Sequence, residues 1–530
     1  MSGHNRSYND EFGYGRDHYA LVADALPLHS PHQSFGSSSA RTLTLALVIL
    51  LALALGAAVA WLGSLPDKTL SFAGLALCGA LVVLAWRLLR WPIKPILRVL
   101  LPACLMLRFE INLFPIFKYN ESLPGLNVSL MLLTSLTLLV AHWFERLRGK
   151  QREQVFPLSF SFFALALLLW CALGVLASTE TTLGFYAWFS LASCVLFTFV
   201  LANEYGQREH LRMAVIVMAV MIGVNGLVGV LQATTGVLTE IPALGIGKAE
   251  NRQAFGDGEF SRAVGLQEMA NAFAWFLVTL LPTLLAVLIL RVRAFNVWQQ
   301  RLLLGSALLG LMALILTYAR GSWLAFAVSL VALVMLSHRA LPPVERHRFS
   351  KQIVVLALCG LLLCLPFSSA IYIRLTEDDN ESAYSRVPLS KVAQAIIADN
   401  PLLGVGLSNY EAEMRRYDHT PDRITEEFPW PVHNILLHQT AEAGIPALLF
   451  FFALLSVALR RGWSVLQSHD PLLQAIAIGL ICGLLAYLIT GLKEPGTFGS
   501  PQLRLCFLTC GLLLALGRAH RQQAAQLYSV

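Results

Sequence analysis

Residues 269–290 read MANAFAWFLVTLLPTLLAVLIL, with no charged side chain in the run. A helix of that length, rising about 1.5 Å per residue, spans about 30 Å of hydrocarbon. Similar runs recur near 42–63, 70–86, 95–117, 124–144, 157–177, 184–203, 213–233, 302–317, 321–337, 353–369, 432–459, 472–490 and 502–517. A backbone in lipid must satisfy its own hydrogen bonds, and runs of this length do so as helices rather than barrel strands. The expected fold is an all-α polytopic membrane protein with about fourteen transmembrane helices; twelve is the alternative count. The third run is the weakest, because it carries Arg98, Arg108 and Glu110.

Composition agrees. The chain has 530 residues, 56% hydrophobic and 13% charged, with a mean hydropathy of +0.63; soluble domains carry roughly 25% charged residues. Residues 1–41 are polar and rich in Ser, His and Asp, and read as a disordered cytoplasmic tail rather than a signal peptide. All nine cysteines fall inside predicted spans and none shows zinc spacing, so they read as small packing residues. The net charge of +7 is explained by orientation signals and calls for no nucleic acid.

Those signals are Lys and Arg in short loops. One set of alternate connections carries Arg87, Arg90 and Lys94, then Arg146, Arg148, Lys150 and Arg152, then Arg208 and Arg212. It continues through Arg291, Arg293 and Arg301, then Arg339, Arg346, Arg348 and Lys351, and ends with Arg460, Arg461, Arg518 and Arg521. The short connections of the other set hold little positive charge. Both termini are thus expected inside a bacterial inner membrane, with two long connections, 234–268 and 370–431, outside. The chain divides into the tail 1–41, N-terminal helices at 42–209, a core at 210–460 that includes the loop 370–431, and C-terminal helices with a short tail at 461–530.

No GxxxxGK[ST] loop, HExxH pair or Cys/His metal cluster occurs, so neither ATP nor a metal ion is expected as cofactor. The acidic run Glu377-Asp378-Asp379-Asn380-Glu381 reads as a solvated loop tip rather than a cation site. More informative are arginines that break the charge rule: Arg262, Arg320, Arg374, Arg386 and Arg504. A charge at membrane depth costs a few kcal/mol or more, about 2.5–3.5 on insertion scales, and by default has a partner. Each arginine taken singly also fits a helix-end residue reaching to the boundary. Together they suit a diphosphate, whose oxygens match the planar fork of arginine. The segment Pro429-Trp-Pro-Val-His433-Asn-Ile-Leu-Leu-His438 then places His433 at the start of a span. A neutral imidazole there is either a base toward a hydroxyl or a helix-start residue bonding only locally.

The ordered set of these pieces resembles the bacterial O-antigen ligase/polymerase superfamily (the Wzy_C domain). The matching residues are Asn225-Gly, Gln232-Ala-Thr-Thr-Gly236, Arg262 with Gly265 and Asn271, and Thr317-Tyr-Ala-Arg320-Gly-Ser-Trp. They continue with Arg386, Asn400-Pro-Leu-Leu-Gly404-Val-Gly406-Leu-Ser-Asn409-Tyr, and His433-Asn434 through Glu442-Ala-Gly444-Ile. The similarity covers about residues 210–460. It implies a GT-C type, metal-independent, inverting glycosyltransferase with its active site at the periplasmic face. The donor would be a glycan on undecaprenyl diphosphate, and the acceptor a growing polysaccharide or lipid A core. The resemblance implies donor-diphosphate roles for Arg262, Arg320 and Arg386 and the catalytic role for His433. Asn271, Asn434, Glu442, Gly404 and Gly406 would support them, and a chain-length regulator is a candidate partner.

Two departures bear on the acceptor. Ligases of this family are shorter and usually have twelve spans, and Tyr-Ala-Arg-Gly stands where Ser-Arg-Gly is commoner; both favour a polymerase. Two other classes compete: a transporter of lipid-linked glycans, and a non-catalytic scaffold of envelope assembly. Polar residues gathered at one face, rather than at helix interruptions in the midplane, favour catalysis over transport.

Overall fold

The computed structural model describes residues 93–106, 110–119, 125–147, 157–238, 252–255, 258–267, 269–376, 382–496 and 498–528. The predicted tail 1–41, the spans at 42–63 and 70–86 and the acidic run 377–381 lie outside the described residues.

Among the described residues, ten helices are long and apolar enough to cross a membrane, and the chain is an all-α polytopic membrane protein. After a short first helix, α1 (Ile93–Ala103), the first of these are α2 (Leu130–Leu147), α3 (Leu158–Leu176), α4 (Thr181–Glu204) and α5 (Arg208–Thr235). Then come α6 (Ala270–Ile289), α7 (Val297–Leu316) and α8 (Arg320–Ala340). The next helix, α9 (Pro343–Cys364), falls on the predicted run 353–369. The long connection contains α10 (Ser368–Thr376), α11 (Ser382–Asp399) and the single turns α12 (Tyr410–Glu413) and α13 (Ile424–Glu427). The last three spans are α14 (Ile435–Val465), α15 (Pro471–Gly491) and α16 (Leu503–Tyr528).

The third predicted span, 95–117, needs correction. Its helix stops at Ala103, and Glu110–Leu113 (β1) pairs antiparallel with Leu126–Ser129 (β2), Glu110 opposite Ser129. The charges that made the run weak explain why. Arg98 binds Glu204, which also pairs with His142, so its positive charge is held between helices and not in lipid. Glu110 is taken by the buried Arg504 at the start of α16, and Asn127 of β2 completes the knot by donating to Glu110 at 2.6 Å and accepting from Arg504 at 3.2 Å. Arg504 is therefore a structural cation, tied to the hairpin by a partner the sequence had not supplied.

Three helices form the interior: 83% of the apolar window of α6, 78% of that of α15 and 89% of that of α16 are buried, against 33% for α2, α3 and α8, which face outward. Lipid offers no hydrophobic drive between helices, so close approach depends on small residues. On α15, Gly479 and Gly483 press directly on the backbone of α6 at Thr283 and Thr279. On α5, Gly226 meets the backbone of α7 at Leu309, and Gly310 of α7 meets Ile222 of α5. These contacts set the ends of α5, α7 and α15 and the starts of α6, α8 and α14 at the same end of the bundle.

The connection 382–434 has its own small core of Leu389, Val392, Ala393, Ile396, Tyr410, Met414, Ile424 and Val432, closed against Ala441 of α14. Its turn at 418–425 is held by Asp418, which accepts from the backbone N–H groups of Thr420 (3.0 Å) and Thr425 (2.8 Å) and from both hydroxyls. Burial opposes the charge on Asp418, but those hydrogen bonds prevail and hold its pKa below the usual carboxylate range.

Candidate functional site

The site begins with one turn, Thr317–Ala319, between α7 and α8. The turn leaves backbone carbonyls exposed to side chains, and two arginines take them. Arg262 Nε donates to the Thr317 carbonyl at 2.7 Å, and Arg374 Nε, from α10, donates to the Tyr318 carbonyl at 3.1 Å. Arg320 opens α8 immediately after the turn and is half-buried. Three guanidinium groups distant in sequence are thus assembled around four consecutive residues.

Arg262 is aimed as well as placed. Its other end donates to Asn271 Oδ1 at 2.7 Å, in the first turn of α6. The strand of backbone that carries it is held from α5: Gln232 Oε1 accepts from Val264 N (3.2 Å) and Gly265 N (2.8 Å), its amide donates to Gly265 O (3.0 Å), and Asn225 Oδ1 accepts from Leu266 N (3.0 Å). Both amides are fully buried, so each backbone bond they make replaces one that water cannot supply. The Asn225 and Gln232 of the sequence pattern are therefore supports for the arginine segment.

His433 lies just before α14, whose first turn is capped by Asn434: its Oδ1 accepts from Leu436 N (3.0 Å) and Leu437 N (3.2 Å). The His433 Nδ1 lies 3.2 Å from the Pro431 carbonyl. A carbonyl can only accept, so Nδ1 carries the proton and Nε2 keeps its lone pair. Burial, then the positive charge of Arg386 on α11, lower the imidazole's pKa below that of free histidine. At neutral pH the ring is an uncharged base.

One turn further along α14, His438 is fully buried. Its Nδ1 accepts from Gly496 N at 3.3 Å and its Nε2 faces Glu442 Oε1 at 3.5 Å, while the ring of Tyr410 meets it edge-on, centroids 5.0 Å apart. Glu442 Oε1 also lies 3.4 Å from Tyr410 N. Glu442 is thus part of the packing around His438 and Tyr410.

The glycines have a backbone role. Gly444 breaks α14 at φ 78°, and Pro446 has no N–H to offer. The carbonyls of Ala441 and Glu442 lose their helical donors and are taken by Val405 N and Gly406 N, both at 2.9 Å; Ile445 N turns to Pro401 O, also 2.9 Å. A Cβ on Gly404 would run into the Glu442 backbone and one on Gly444 into Leu402. The segment 400–406 is thereby sewn into the break, which fixes the long connection to the helix that His433 begins.

The sequence-derived residues therefore fall into two groups. Arg262, Asn271 and Arg320 gather at the 317–320 turn with Arg374; Arg386 and Asn434 lie by His433, while Glu442 lies deeper along α14, against His438, Tyr410 and the 404–406 loop. The segment 491–496 bridges them, because Lys493 packs on Gly321 beside Arg320 while Gly491 and Gly496 pack on Ile435, two residues after His433. Trp275, one turn from Asn271, also touches Gly491. Sequence reading named Arg374 among the exceptional arginines but not its bond to the Tyr318 carbonyl, and it missed this bridge. No motif marks either; only the placing of α15 antiparallel to α8 and α14 brings the bridge in. Among the described residues no group of three or more His, Cys, Asp or Glu side chains is placed to hold a metal ion.

These features define a polytopic helical membrane protein with a cationic, histidine-bearing site at one end of its bundle. Residues 305–452 match the family described as O-antigen ligase, in agreement with the resemblance read from the sequence and supporting assignment to the O-antigen ligase/polymerase family. That segment contains Thr317, Arg320, Arg374, Arg386, the 400–406 loop, His433 and Glu442, whereas Arg262 and Asn271 lie before it. No curated protein matches the chain.

Proposed function

We propose that this chain is an inner-membrane glycosyltransferase that moves a glycan from undecaprenyl diphosphate to an acceptor hydroxyl at the periplasmic face. The observation that carries the reading is the gathering of Arg262, Arg320 and Arg374 at one turn, bridged through 491–496 to a neutral His433. In the proposed reaction the arginine group binds the donor diphosphate. The acceptor hydroxyl attacks the anomeric carbon with inversion, the bond to the diphosphate oxygen breaks, and His433 Nε2 receives the hydroxyl proton. Arginine charge stabilises the departing undecaprenyl diphosphate, so the phosphoglycosyl bond supplies the driving force and no metal or nucleotide is called for. The loop-charge pattern supports placing this end outside.

The polymerase form, with a second lipid-linked glycan as acceptor and a chain-length regulator as partner, is favoured over the ligase form by the additional spans expected from the sequence at 42–86 and by Tyr-Ala-Arg-Gly at 318–321. The test incubates purified full-length protein with a lipid-linked glycan, with and without lipid A core. A ladder without core establishes a polymerase and a single core-dependent band a ligase. No transfer under either condition, with the protein folded, overturns the proposal.

A further inference from the structure

At the opposite end of α8 from Arg320, the turn into α9 leaves a slot of about 410 Å³ between the two helices. Val334 and Met335 of α8 and Phe349 and Ile353 of α9 form its apolar walls, and His338 and Arg339 stand at its edge. Beyond it the helices stay bare. Leu324, Val328, Val331 and Met335 on α8, and Val354, Val355 and Leu358 on α9, are each more than 40% exposed. The α8 stripe, twelve residues from Leu324 to Met335 with a rise of about 1.5 Å per step, runs about 16 Å toward the bilayer middle.

The turn beside the slot carries more cations than anions, with Arg339 on the slot itself and Glu345 the one acid among them. Arg339, Arg346, Arg348 and Lys351 lie within thirteen positions of one another around the turn. Among the described residues none of the four is ion-paired to an acidic side chain. Arg346 Nε donates to the Leu341 carbonyl at 3.1 Å, which leaves its charge unneutralised. An apolar slot continuous with a lipid-facing stripe, and ending at Arg339 in a basic turn, has the polarity of a phospholipid site: one acyl chain along the stripe, phosphate at the turn.

We propose that this slot binds an anionic glycerophospholipid, phosphatidylglycerol in its chemistry, at the end of the bundle remote from the arginine–histidine site. The occupant is anionic because Arg339 stands at the slot's edge and Arg346, Arg348 and Lys351 follow in the same turn, and a phospholipid because the slot opens along the hydrocarbon rather than into water. Nothing in this site depends on the glycosyltransferase reading.

The experiment is native mass spectrometry of the purified full-length chain in detergent, offered phosphatidylglycerol and phosphatidylcholine of matched acyl chains in equal amounts. Retention of the first phosphatidylglycerol is expected to exceed that of phosphatidylcholine by about tenfold. The pair R339Q/R346Q is expected to bring the two lipids to parity. The variant Met335→Trp fills the slot with the cations untouched and is expected to lose the tightly held lipid too, so failure of either variant to fold leaves the other to decide. The pair R460Q/R461Q, at a different basic turn, is expected to leave the preference as it was. Equal retention of the two lipids overturns the site, as does an equal loss in R460Q/R461Q, which would mark general surface charge. Displacement of phosphatidylglycerol by an equal amount of undecaprenyl phosphate would also overturn it, since the slot would then belong to the carrier lipid.

Discussion

Arg262 spans the gap between two helices, its Nε on the carbonyl of Thr317 at 2.7 Å and its outer nitrogen on Asn271 at the start of α6. That double engagement uses the planarity of the guanidinium and leaves the group with a fixed direction. Changing Arg262 to Lys keeps the charge and loses one of the two bonds. A lost charge-assisted hydrogen bond is worth about 1.5–3 kcal/mol, so glycan transfer is expected to fall by about 10- to 100-fold. Initial rates of product formation on a gel check this; an unchanged rate would mean that only the positive charge matters.

His433 stands in the proposed reaction as the proton acceptor, and replacing it with Ala is expected to abolish transfer while the protein still inserts at wild-type level. Acid dependence follows from its surroundings. The folded pKa lies below the free value of about 6.5, so the neutral base is present above the free value and is lost only as pH falls through the lower folded one. Removing Arg386 as Gln takes away a nearby positive charge, so the acid limb of the pH–rate profile is expected to move to higher pH. A limb that stays in place would sever Arg386 from the imidazole.

Gly404 and Gly444 sit at positive φ with their missing Cβ positions against backbone. Alanine at either combines left-handed strain of about 1–2 kcal/mol with a collision that backbone cannot relieve. Both variants are expected to lower the yield of monodisperse protein and its thermal midpoint, which size-exclusion chromatography and a melting curve report. A surface glycine such as Gly360, exposed and with open space at its Cβ position, is the control expected to show no loss.

The buried Arg504 is paired with the half-buried Glu110. Removing one partner strands the other charge, at about 3–5 kcal/mol, so Arg504→Met alone is expected to destabilise more than Arg504→Met combined with Glu110→Leu. Thermal midpoints of the two proteins decide it; additive losses would show that the ion pair has no coupling.

Orientation is open to a direct test. A cysteine at Arg416, exposed in the long connection, is expected to react with a membrane-impermeant maleimide while the inner membrane is intact. One at the exposed Arg348 is expected to react only after lysis. The reverse pattern would invert the assignment of faces.

The ten long helices were legible in the sequence because hydrocarbon thickness imposes one length and one composition on each, whatever its neighbours do. The run 95–117 misled for the same reason: average hydropathy registers apolar content, whereas Arg98 and Glu110 are neutralised by Glu204 and Arg504, residues more than a hundred positions away. Gly404, Gly406, Gly444 and Pro446 were visible as a pattern, yet their meaning, two orphaned helical carbonyls satisfied by a distant loop, exists only when both segments are in place. The types of residue that could meet phosphate and take a proton were thus set by the sequence alone. Which arginines share a turn, and that Arg504 belongs to a hairpin instead, was decided by tertiary structure, because a guanidinium group's role depends on the acceptor it reaches, and those acceptors are supplied by other elements of the fold, the 317–319 turn, α6 and the β1–β2 hairpin.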